Sequence, residues 1–104
     1  MQIQIHNTDH SLEGREELAT HVRAVVELAV GQFRDRITRV EVHLRDQNGD
    51  KSGPDDKRCM MEARLEGRQP NAFTHQASTL VDAVEGAADK LRCFVERTLE
   101  RETS

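Results

Sequence analysis

The sequence predicts an α+β fold: a four-stranded mixed sheet with two helices on one face, in the order β-α-β-β-β-α. Two alternating segments and two single-stripe helical segments carry that prediction. In the first alternating segment Val40, Val42 and Leu44 fall on one side, and Arg39, Glu41, His43 and Arg45 on the other. Successive side chains of a strand point to opposite sides, so this strand has one buried and one wet face. The second repeats the pattern, with Cys59, Met61, Ala63 and Leu65 against Arg58, Met60, Glu62, Arg64 and Glu66. Both wet faces are rich in arginine, and neither holds a catalytic pattern.

The elements follow in order. Gln2 to His6 reads as a short strand with Ile3 and Ile5 inward. Asn7 to His10 reads as a turn, and Ser11 can cap a helix start, although Gly14 weakens the first turn. Leu18, Val22, Val25, Ala29 and Phe33 then recur at helical spacing, with Gly31 near the end. The Ile37–Asp46 strand follows. Gln47 to Asp56 is polar, contains Gly49, Gly53 and Pro54, and reads as a long hairpin loop.

Lys57 to Glu66 is the third strand, and a turn falls at Gly67. Pro70 to Gln76 reads as a short fourth strand with weaker alternation. Thr79 and Asp82 have capping-box spacing and open a helix that runs to about Arg101. Leu80, Val84, Ala87, Leu91, Phe94, Val95 and Thr98 form its inner stripe. Lys90, Arg97 and Arg101 line another face. The first helix can carry the chain between parallel neighbours, and the other pairings are antiparallel. Both helices have one apolar stripe, so both cover the same side of the sheet. The core is expected to bring together Val40, Val42, Leu44, Met61, Leu65, Leu91 and Phe94.

The 104 residues suffice for one domain spanning 1–104 and one modest core. A net charge of −4 disfavours nucleic-acid binding through bulk charge. The distribution is uneven. Residues 34–45 and 57–68 hold eight Lys/Arg and four Asp/Glu, whereas the rest holds seven basic and fifteen acidic residues. Arginine's planar fork suits phosphate, and such a face fits RNA read by shape and backbone. The same arginines also serve as ordinary solubilising partners of Glu41, Glu62 and Glu66.

Other chemistries find little support. Cys59 and Cys93 lack metal spacing and read as free thiols of a reducing cytoplasm. Asp46, Asn48, Asp50 and Ser52 resemble the start of a calcium loop, but Lys51 and Lys57 stand where glycine and glutamate belong. His6, His43 and His75 lie on different strands and would suit zinc only if all three met. His75 shares a side with the inward Phe73, so no metal site is expected. No histidine is accompanied by a nucleophile and oriented carboxylate, and phosphate loops are absent, so no enzyme and no cofactor are expected. No run is apolar enough for a membrane span or signal peptide, which implies a cytoplasmic protein.

Two motifs carry a family resemblance. Asp35-Arg36-Ile37-x-x-Val40-x-Val42-x-Leu44 resembles the start of the second strand in the ribosome hibernation promoting factors, also called ribosome-associated inhibitors. Ala83-Val84-Glu85-Gly86-Ala87-Ala88-Asp89-Lys90-Leu91 is similar to that family's final helix. The order of elements agrees across nearly the whole chain. The resemblance implies a fold similar to double-stranded-RNA-binding domains. It also implies binding to the small ribosomal subunit and its ribosomal RNA, in the channel used by mRNA and tRNA, and translational silencing in resting cells. No membrane and no small-molecule substrate are implied.

Lys90 matches a basic family position and Arg36 lies inside the first motif. Arg39, Arg97 and Arg101 join them as RNA-binding candidates by geometry. The sequence ends after the last helix, as expected of the family's short form. Val81 stands where the family usually has an aromatic residue, and Glu96, Glu100 and Glu102 interrupt Arg97 and Arg101. These departures motivate an alternative: a protein-interaction or regulatory module with the same fold and weak or no RNA binding.

Overall fold

The computed structural model describes residues 1–7, 15–46 and 57–103. The Ser11 cap, the 47–56 hairpin loop and the calcium-like pattern within it lie outside the described residues. Four strands form one sheet: β1 (Gln2–Asn7), β2 (Ile37–Asp46), β3 (Lys57–Leu65) and β4 (Asn71–Ala77), in the spatial order β1-β2-β3-β4. β1 and β2 are parallel, and the other two pairings are antiparallel. Helices α1 (Arg15–Val30) and α2 (Leu80–Thr103) pack beside each other, with α2 over β3 and β4. This is the architecture that the alternation predicts.

Register explains why only one side of the sheet is dry. Ile3 pairs with Val40 and Ile5 with Val42, while Val42 also faces Met61 and Leu44 faces Cys59. β4 continues the same row, with Phe73 opposite Met61 and His75 opposite Cys59. Val40, Val42, Cys59 and Met61 are fully buried in one cluster with Val22, Val26, Val30, Leu91 and Val95 of the helices. Burying a side chain of this size stabilises by about 1.5–3 kcal/mol. Cys59 sits so deep that burial pushes its thiol up to about 12, against 9.0 for a free thiol.

Three sequence expectations shift. The dry stripe of α1 is centred on Val22, Val26 and Val30, with Leu18, Val25 and Ala29 only half-buried. The run Val25-Val26 offers two adjacent stripes, and the one centred on Val26 is the one buried in the common core of sheet and helices. Phe33 is not in α1, which ends at Val30. A 3-10 helix, Gly31–Arg36, takes the chain into β2 and leaves Phe33 half-buried. Phe94 is also only half-buried, because it lies at the β4 edge of α2 against Phe73. The other six residues expected in the core are buried.

The β3–β4 turn falls at Gly67 as expected. Its φ of 76° is left-handed, which glycine adopts without a Cβ penalty, and Arg68 N–H donates to the Leu65 carbonyl at 3.0 Å. Glu66 N–H donates to the Arg36 carbonyl at 2.9 Å, tying that turn to the corner before β2.

Candidate nucleic-acid interface

Helix α2 is fixed at its start and along its length. Thr79 Oγ1 accepts the backbone N–H of Asp82 at 3.1 Å, so the predicted cap forms. One turn on, Gly86 rests against His75. A Cβ at Gly86 would come within 2.1 Å of the imidazole, so glycine lets the helix lie close on β4. Lys90 adds a polar tether by donating to the Thr74 carbonyl of β4 at 2.6 Å. Because β4 is an edge strand, it has outward carbonyls that need such partners.

The close approach of α2 and β4 creates an open groove of about 560 Å³. Phe73 and Phe94 are apolar parts of its lining, with ring centroids 5.1 Å apart and planes tilted by 47°. Lys90, Arg97 and Arg101 are its basic members. A neighbouring hollow of about 520 Å³ shares Phe94 and Arg101 and adds Arg68, Gln69 and Asn71 from the β3–β4 turn. Aromatic rings beside guanidinium groups suit exposed bases and phosphates, because every base has a face to stack and every nucleotide a charge.

The open side of the sheet is a different surface. Arg39 lies opposite Arg64, Glu41 opposite Glu62, His43 opposite Met60, and Arg45 opposite Arg58. Like charges directly across a pair of strands repel each other. The Arg39 guanidinium instead reaches the Glu41 carboxylate of its own strand, at 3.4 Å. This surface therefore carries two arginine rows with a glutamate row between them.

The five predicted RNA-binding residues thus fall in three places. Lys90, Arg97 and Arg101 line the groove. Arg39 lies on the open sheet face. Arg36 is not in the strand but in the 3-10 turn before it, exposed, at the end of the sheet where Glu66 binds its carbonyl. Sequence reasoning missed the Phe73–Phe94 pair in the groove and Arg68 in the neighbouring hollow. The only signal for Arg68 was its position after the Gly67 turn. The zinc pattern that required His6, His43 and His75 together does not form. His75 pairs with Cys59 on the helix side, and His6 and His43 pair on the open side.

Residues 1–103 match the family described as sigma 54 modulation protein / S30EA ribosomal protein. The chain belongs to that family. Membership makes it a ribosome-associated factor of the hibernation type that the two sequence motifs resemble. The Thermus thermophilus Protein Y N-terminal domain has the same fold, with a TM-score of 0.73 at 20% identity over 94% of this chain and 99% of that one. A ribosomal subunit interface protein from Coxiella burnetii superposes with a TM-score of 0.66 at 14% identity, over 96% and 99% of the two chains. No curated protein matches the chain in sequence. The family's α+β architecture, with helices on one side of a mixed sheet, is the one found here.

Proposed function

We propose that the protein binds the small ribosomal subunit through ribosomal RNA, in the channel used by mRNA and tRNA, and silences translation in resting cells. One observation carries the reading: the exposed cations lie on two different sides of the fold. Lys90, Arg97 and Arg101 border the α2–β4 groove, while Arg39 and its neighbours occupy the open sheet face. A flat partner would need one patch. A partner that encloses the domain, such as an RNA-walled channel, favours cations on several sides of a chain whose net charge is −4. The family membership and the subunit-interface name of the Coxiella protein support the same partner. The role is binding in the cytoplasm, as one domain, with no catalytic step.

A second reading has its own support. Arg92 of α2 is already engaged, 3.5 Å from Asp89 and 3.6 Å from Glu96. With Asp82, Glu85 and Glu100 also on the helix, α2 is net acidic away from the groove, which suits a protein-interaction module. Co-sedimentation with separated small and large subunits decides between the two. Association with small subunits that weakens as salt rises supports the proposal, because phosphate contacts release counterions. No association even at low salt leaves the interaction module.

A further inference from the structure

The open sheet face carries a second constellation, separate from its arginine rows. The parallel register of β1 and β2 sets His6 directly beside His43, and Glu41 lies two residues before His43 on the same side. The two imidazoles stack with centroids 4.7 Å apart and planes 14° from parallel. His6 Nε2 lies 3.3 Å from Glu41 Oε1. One donor atom from each of the three residues lies within 4.8 Å of the other two.

We propose that His6, Glu41 and His43 form a surface site for a zinc-class divalent cation. Two imidazole nitrogens and one carboxylate oxygen are the borderline donor set that such ions take, with the fourth position left to solvent. Ligands bound about 2.0–2.1 Å from a tetrahedral zinc stand roughly 3.4 Å apart. The His6–Glu41 pair is already at that separation, and the two stacked imidazoles must turn about their side-chain torsions to aim both lone pairs at one ion. Glu41 is also held from behind. Its Oε1 faces His6 while its Oε2 is 3.4 Å from Arg39, so the ion takes one oxygen and the guanidinium orients the other. Outer partners of this kind fix a ligand's direction.

The surroundings select the ion. Arg39 and Arg45 flank the triad along β2 and repel cations held by charge alone. Calcium and magnesium, which want several oxygen ligands, are disfavoured, while an ion held by directed nitrogen donors is retained.

The test is calorimetric titration of the metal-free full chain with zinc chloride, and separately with calcium and magnesium chloride. The expected result is one zinc ion per chain and no heat from the other two. His6→Gln, His43→Gln and Glu41→Gln should each weaken zinc binding by about tenfold or more with an unchanged far-ultraviolet circular dichroism spectrum. Cys93→Ser should bind as the parent does. Equal zinc affinity in the parent and His43→Gln would overturn the proposal. So would loss of binding in Cys93→Ser, or equal affinity for calcium.

Discussion

The two faces of this sheet follow opposite rules. On the helix side the central strands set apolar residues opposite each other: Val40 with Ala63, Val42 with Met61, Leu44 with Cys59. On the open side arginine faces arginine and glutamate faces glutamate. The first arrangement lowers the free energy of folding. The second contributes little to folding and leaves positive charge where a polyanion can meet it. Stability is therefore concentrated on the covered face, and binding is proposed for the open face and the α2–β4 groove.

The largest effect should come from the covered face. Leu91 is fully buried, so Leu91→Ala should cost about 2–5 kcal/mol in denaturant unfolding. Phe94→Ala, at the half-buried groove wall, should cost less. Equal costs would erase the distinction between core and groove. Gly86→Ala should destabilise by about 1–3 kcal/mol despite alanine's better helix propensity, because its methyl meets the His75 ring. In a His75→Ala background the same change should become neutral or stabilising. A destabilisation that persists there would place the close approach elsewhere.

Cys59 sharpens the contrast through pH. Its thiol is raised to about 12 by burial, so between about pH 9 and 12 the unfolded chain loses a proton that the folded chain keeps. Fewer protons on the unfolded state mean that stability falls as pH rises, by up to about 1.4 kcal/mol per pH unit from this group. Cys59→Ala should flatten that part of the stability profile, and an unchanged slope would refute the assignment. The smallest effect belongs to the open face. Arg64→Thr removes one member of the Arg39–Arg64 pair and should change stability by no more than about 0.5 kcal/mol, toward stabilisation. A destabilisation of about 2 kcal/mol or more, on the order of a core truncation, would mean that the open face is structural.

The covered face is legible in the sequence because alternation in Val40–Leu44 and Cys59–Leu65 has period two, and only one orientation buries it. The β2 bounds, the Thr79 cap and the Gly67 turn can be read for the same local reason. What cannot be read depends on register between distant segments. The Arg39–Arg64 and Glu41–Glu62 rows and the His6–His43 stack exist only once β1, β2 and β3 are aligned. The α1 stripe lies one position from its predicted place because Val25 and Val26 are equally apolar and only tertiary packing decides between them. In the sequence Lys90 reads as an RNA-binding residue alone, but its bond to the Thr74 carbonyl gives it a structural duty as well. Lys90→Ala therefore reports on the α2–β4 contact as well as on binding.

The central claim is that cations on two sides of the fold meet ribosomal RNA together. Salt-titrated co-sedimentation with small subunits, comparing the parent with Arg97→Gln/Arg101→Gln and with Arg39→Gln/Arg64→Gln, tests it most directly. The parent should pellet with the subunits at low salt. Each double variant should bind more weakly, and the slope of log affinity against log salt should drop by up to about two units, one for each phosphate that a replaced arginine no longer neutralises. If either double variant pelleted as the parent does, with the same salt slope, or if the parent stayed in the supernatant at low salt, the account would be contradicted.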